Sequence, residues 1–376
     1  MFVTFPVPMT IRLVKQHQQV CVHCLHVSIP GTTSSSFILP IQTVIEDINT
    51  MNRDNTQKGI KTRICMISDT HTCRPNPPTD TSNPYRHPLP KADVLLHAGD
   101  ITKVGHKIEH EAMVAMLKEA EAELKIVIAG NHDITLDAEY YARMGRTRHR
   151  TGPLEDPAEI RELWVGEDAR KAGIVYMDEG VRTFTLSNGA QFTLYASPYQ
   201  PEFCQWAFAY ERRVDRFNPS PPVSPFQAPN PVPSYPDVDI LLTHGPPYGI
   251  LDQVYYSNQS VGCENLLKAC KRARPRLHVF GHIHEGYGAV RQDWTNNTSE
   301  RILQDPETVL ENRSCYYNAS SDGKRPLRYG EETLFVNASV VTVNYVPTNA
   351  PWVVDIDLPP ATATTKAAEV DSVTLS

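Results

Sequence analysis

No stretch of this 376-residue chain comes near the ~18 uncharged apolar residues that span a bilayer, so a soluble protein is expected and membrane partners are not. An excess of cations is also missing. The 36 Lys and Arg stand against 43 Asp and Glu, a net charge of −7, too few cations to displace counterions along a nucleic-acid polymer. A small phosphate ester remains possible, because local cations can neutralise it. Cysteine is sparse: eight residues without regular spacing make no disulfide framework, and the lone Cys21–Cys24 pair has no second pair to complete a zinc site. Reduced thiols and a cytoplasmic location are expected. Residues 1–45 lack Asp and Glu altogether, yet histidines and prolines interrupt every apolar run, so no signal-peptide core forms. Residues 1–60 therefore read as a variable N-terminal extension, in part unstructured.

Proline, by contrast, is plentiful. Of 31 prolines, 14 fall within residues 75–90 and 219–236, which excludes both stretches from central strands and helices. Outside these stretches lie short apolar runs at Arg63–Ser68, Ala92–Ala98, Lys125–Ala129, Val238–Thr243, Leu277–Phe280 and Leu334–Ala338. Near-continuous apolar strands of this kind fit sheets buried on both faces. His110–Leu124 places Met113, Met116, Leu117 and Leu124 on one helical stripe, and Glu264–Ala273 reads as a second helix. Alternating strand and helix imply βαβ units. The polar segment 293–328 reads as an insertion, and 359–376 as a disordered tail.

Chemistry-bearing residues recur where the strands end, the edge at which open α/β sheets place ligands. Asp69 and His71 follow the first run, Asp100 the second, and Asn131, His132 and Asp133 the third; His244 and then His282 and His284 close the fourth and fifth. Each alone is weak, since an Asp after a strand is commonly an Asx-turn. Their order is specific: D-x-H, G-D, G-N-H-D, an isolated His, then G-H-x-H. This series resembles the calcineurin-like metallophosphoesterases. Leu95–Asp100, Ser197–Phe203, Leu242–Pro247, Gly262–Glu264, His278–Gly288 and Val336–Ser339 are similar to the metallophosphoesterase-domain-containing, fetal-brain-protein-like branch. The likeness spans about residues 61–358.

The resemblance implies an α/β fold, a four-layer αββα sandwich of two mixed sheets flanked by helices. It implies a dinuclear metal-dependent phosphoric ester hydrolase, a phosphodiesterase on small substrates, with cyclic nucleotides in that class. By resemblance, Asp69, His71, Asp100 and His284 hold one divalent ion, and Asp100, Asn131, His244 and His282 the other. The N/O donor set favours Mn²⁺, Fe or Zn²⁺. Two such ions neutralise phosphate oxygens and acidify a bridging water into the attacking hydroxide. His132 is the candidate general acid, and Asp133 is expected to orient its imidazole. Tyr199, Phe203, Trp206 and Phe208 are candidates to stack an aromatic leaving group. A non-catalytic metal-bound scaffold is the alternative, which a lost ligand would favour; all seven positions are filled. A metallo-β-lactamase type of hydrolase fails for want of an early H-x-H-x-D-H.

Overall fold

The computed structural model describes residues 59–222, 224 and 226–361. The chain lays down β1 (Ile60–Ile67), β2 (Val94–His97), β3 (Leu124–Val127) and β4 (Ile174–Tyr176) in one sheet, then β5 (Gly180–Thr185) and β6 (Gln191–Ser197) in another. A short separate pair, β7 (Gln200–Pro201) and β8 (Ala209–Tyr210), precedes β9 (Ile240–Thr243), β10 (Leu277–Phe280), β11 (Gly288–Asp293) and β12 (Thr298–Ile302), which return to the second sheet. Finally β13 (Cys315–Asn318) and β15 (Trp352–Leu358) join the first sheet, with β14 (Glu332–Asn337) in the second between them in sequence. The orders are β13-β15-β1-β2-β3-β4 and β12-β11-β14-β10-β9-β6-β5.

The period of two along the strands assigns each face to a layer. Ile64 and Met66 of β1, Ile240 and Leu242 of β9, and Leu334 and Val336 of β14 share one core, so it lies between the sheets. Their neighbours Cys65 and Ile67 turn outward to Met113 and Leu117 of α1 (Lys107–Glu119), Tyr140 and Tyr141 of α2 (Ala138–His149), Trp164 of α3 (Pro157–Val165) and Ala169 of α4 (Glu167–Lys171). Leu241 and Phe335 turn outward from the second sheet onto Leu266 and Cys270 of α5 (Glu264–Ala273). Helix, sheet, sheet, helix: the expected four layers are present. Among the described residues no helix is long and apolar enough to cross a membrane.

The structure corrects two expectations. The first helix spans Lys107–Glu119 rather than His110–Leu124. Ala120 turns extended at φ −71°, ψ 132°, and Leu124 pairs with Val94 in the parallel β2–β3 register. An amphipathic stripe cannot distinguish a helix's last turn from the strand that follows it. Segment 293–328, expected as a polar insertion, supplies an edge strand to each sheet: β12 beside β11 and β13 beside β15, with α6 (Pro306–Asn312) between them. Edge strands can be polar because one side of the ladder faces water. The Cys21–Cys24 pair and the tail beyond Ala361 lie outside the described residues, as does the extension before Gly59. Pro359 and Ala361 still bond to Gln191 and Gly189.

Two buried histidines give the fold a pH signature. His110 accepts from the Trp164 indole N–H at 3.1 Å and lies 3.0 Å from Thr135 Oγ1. His278 sits 2.9 Å from the Thr243 hydroxyl and 3.4 Å from the Cys270 thiol. Burial pushes both imidazoles down, to about 3. Lowered folded values mean that the unfolded chain takes up protons first as pH falls below about 6.5, so stability present at neutral pH is lost on acidification. The expected slope is ~1.4 kcal/mol per pH unit for each histidine. Urea unfolding of His278→Gln should fall less steeply between about pH 6.5 and 5 than that of the unsubstituted chain. An unchanged slope would contradict the buried neutral imidazole.

Candidate metal centre

β1, β2 and β3 run parallel, as do β9 and β10, so each group presents its carboxyl ends along one edge. The two edges meet. Ser68 forms a bridge to Ser339, and the His282 N–H donates to both Asp69 carboxylate oxygens at 3.1 Å. Tight turns leave the strands there: Asp69, His71, Asp100 and His282 all have φ between 42° and 65°, in the left-handed region. Non-glycine residues take that conformation at a cost of order 1–3 kcal/mol each, and clusters of them mark functional sites. Gly130 and Gly281 permit the close approach. A Cβ at Gly130 would lie 2.3 Å from Asp100 Oδ1, and one at Gly281 1.9 Å from Asp69 Oδ2.

The structure brings together all seven side chains named as ligands. Asp69, His71 and His284 form one group of potential ligand atoms, and Asp100, His244 and His282 a second. Asn131 Oδ1 lies 2.9 Å from His244 Nε2. Asp100 connects the groups: its Oδ1 is 3.4 Å from His244 Nε2 and its Oδ2 3.7 Å from His71 Nε2. His132 stands beside His71 and Asp100, and its backbone N–H donates to Asp100 Oδ1 at 2.8 Å.

The hydrogen bonds behind these groups point lone pairs at one another. His244 Nδ1 donates to the Ala98 carbonyl at 2.9 Å and His284 Nδ1 to the Thr342 carbonyl at 3.1 Å. In the neutral ring each Nε2 is thereby left as an acceptor, and in the protonated ring it carries a proton toward the facing oxygens. His244 Nε2 then faces the Asn131 and Asp100 oxygens, while His284 Nε2 lies 3.4 Å from Asp69 Oδ1 and 3.4 Å from His71 Nε2. Acceptors facing acceptors in a buried site repel unless a cation or a proton lies between them. The electrostatics agree. Burial opposes charge on Asp69, yet the His284 imidazole outweighs it and holds the carboxyl at about 2. Burial also opposes the Asp100 charge, which His244 and His132 hold well below the ordinary range. Burial alone lowers His244, but Asp100 lifts it to about 9, and Asp69 likewise lifts His284 against burial. Burial pushes His71 and His282 down to about 3, leaving neutral imidazoles suited to ligation. The donor set fits divalent metal.

Around this centre several assignments change. Asp133 does not hold the His132 ring: its carboxylate accepts from Gly130 N, Ile101 N, Thr102 N and the Thr102 hydroxyl at 2.7–3.1 Å. That makes it the brace between the loops after β2 and β3. The His132 imidazole is held at Nδ1 by the Lys103 carbonyl, 2.7 Å away. Of the four candidate aromatics, Trp206 alone stacks on a site residue, His132, at 4.1 Å between ring centroids. Phe203 is exposed, and Tyr199 and Phe208 pack into the core. Tyr345 is a site neighbour that sequence reasoning missed, with its ring 4.7 Å from His71 and 5.4 Å from His284. The sequence carries a faint signal, since Tyr345 closely follows Val336–Ser339. A further group, His106, His149 and Glu155, resembles a metal site by proximity only. Both nitrogens of His149 are engaged, by the Tyr141 hydroxyl and the Val104 carbonyl.

Comparison with known proteins adds to this geometry. Residues 62–286 match the family model for calcineurin-like phosphoesterase. The human and mouse metallophosphoesterase domain-containing protein 1 are each 33% identical to this chain over 302 residues, covering 79% of this chain and 72% of the relative. The solved phosphopantetheinyl hydrolase of Mycobacterium tuberculosis aligns over 66% of this chain and 98% of its own, at 16% identity and a TM-score of 0.36.

Replacing Gly130 with Ala should force Asp100 and His244 apart, given the 2.3 Å and 2.7 Å approaches. Calorimetric titration with Mn²⁺ should show at least ~10-fold weaker uptake in Gly130→Ala, a loss of about 1.4 kcal/mol. Uptake equal to that of the unsubstituted protein would contradict the close packing.

Proposed function

Because the chain belongs to the calcineurin-like phosphoesterase family, in its metallophosphoesterase-domain-containing branch, we propose that it hydrolyses small phosphodiesters, cyclic nucleotides within that class, using two divalent ions. The observation that carries this reading is the placement of Asp100, whose two carboxylate oxygens face imidazoles of different ligand groups. Asp69, His71, Asp100 and His284 would hold one ion, and Asp100, Asn131, His244 and His282 the other. Bound there, Mn²⁺, Fe or Zn²⁺ supplies Lewis acidity to the phosphate oxygens and lowers the pKa of water.

The chain's own residues account for the rest. Hydrolysis forms a P–O bond to the oxygen of water and breaks the bond to the leaving oxygen, which must gain a proton. His132 would give it. With Nδ1 bonded to the Lys103 carbonyl, Nε2 is the nitrogen left for proton transfer, and the imidazole becomes neutral as the leaving group departs. The negative overall charge supports a small substrate over a polymer.

Chelation should abolish turnover of bis(p-nitrophenyl) phosphate, and Mn²⁺, Fe²⁺ or Zn²⁺ should restore it. Asp100→Asn should lower the metal content per chain, read by elemental analysis. His132→Ala should retain its metal while losing roughly 10²–10⁴-fold in turnover, the usual worth of a general acid. Full activity after chelation, or in His132→Ala, would remove the ions or the histidine from the reaction. A panel of diesters, monoesters and cyclic nucleotides on the reloaded protein tests the substrate class.

A further inference from the structure

His132 is gripped by more than its hydrogen bond. Its ring stacks on Trp206 at 4.1 Å with 23° between the planes. Trp206 in turn carries the Arg148 guanidinium, 3.8 Å from its ring centroid. Arg148 is itself fixed: it donates to the Tyr140 hydroxyl at 2.7 Å, the Cys204 carbonyl at 3.1 Å and the Gln205 carbonyl at 2.6 Å. Tyr140 donates to the same Gln205 carbonyl at 2.8 Å. Both ends of α2 are thus tied to the residue immediately before Trp206. One residue further along that helix, His149 bonds the Val104 carbonyl at 2.8 Å, next to the Lys103 carbonyl that holds His132. The two supports of the His132 ring, an indole face and a carbonyl oxygen, are both anchored to α2.

We propose that Trp206, clamped by Arg148, is a positioning residue that aims the His132 imidazole at the leaving-group oxygen. The inference rests on the hydrolase reading with His132 as proton donor. A single bond at Nδ1 leaves the ring free to swing about that bond. A fixed indole face against it removes this motion, and proton transfer needs its donor within hydrogen-bond reach of the departing oxygen. The stack also gives Trp206 a role other than the substrate-stacking wall expected from sequence, since its ring already carries an imidazole and a guanidinium.

Proton delivery matters most when the leaving group is basic, which separates positioning from general structural damage. Aryl methyl phosphates whose leaving phenols run from 4-nitrophenol to phenol provide the series. Relative to the unsubstituted enzyme, Trp206→Leu should lose at least ~10-fold more kcat on the phenyl ester than on the 4-nitrophenyl ester. Trp206→Phe should restore most of the difference, and Arg148→Ala should move in the direction of Trp206→Leu. Added to His132→Ala, Trp206→Leu should cost less than about two-fold, because both act on one group. Equal losses across the series, or losses that multiply with His132→Ala, would overturn the inference while leaving the hydrolase reading intact. An unsubstituted protein that turns over no ester in the series overturns the hydrolase reading, and this inference with it. If Trp206→Leu does not fold, Arg148→Ala carries the same comparison.

Discussion

The structure turns on a cluster of buried acceptors that draws positive charge into its midst. Two buried carboxylates, an amide oxygen and imidazole nitrogens face one another at distances of 2.9–3.7 Å. Four of the backbone positions that bring them there lie in the left-handed region. Buried carboxylates and strained turns each cost free energy, and the His244 and His284 imidazoles offset part of the first cost. A divalent cation would supply the positive charge that the protons on the histidines supply without it, and the carbonyls of Ala98 and Thr342 fix which nitrogen each of these histidines offers. Two sheets with outward-facing helices provide the rigidity that such a site demands. The inter-sheet core leaves the strand ends no freedom to relax apart.

Much of this was readable in the residues. Short apolar runs closed by Asp, Asn or His made the α/β class and the ligand edge visible, because strands buried on both faces leave polar residues only where they end. Glu264–Ala273 and Leu277–Phe280 agree with the observed elements residue for residue. The pairing of the ligands was supplied by family likeness and not by spacing, since Asp69 and His284 are separated by more than two hundred positions and meet only through sheet topology.

What the residues concealed is instructive. Leu124 belongs to a strand because of its register with Val94, a non-local fact that helical periodicity cannot carry. The polar 293–328 segment hid two strands because edges tolerate polarity. Asp133 sits beside His132 in the chain yet serves backbone donors, whereas Trp206, remote in sequence, meets the imidazole. Adjacency in sequence was a poor guide to contact wherever a tight turn intervened. Tyr345, with φ of 60°, enters the site through a loop marked only by its nearness to Val336–Ser339.

The centre itself is most directly tested by anomalous diffraction from crystals grown with Mn²⁺. Two manganese peaks flanking the Asp100 carboxylate are expected, one among Asp69, His71 and His284, the other among Asn131, His244 and His282. No peak at either group, or ions bound with Asp100 outside their coordination, would contradict a shared dinuclear site.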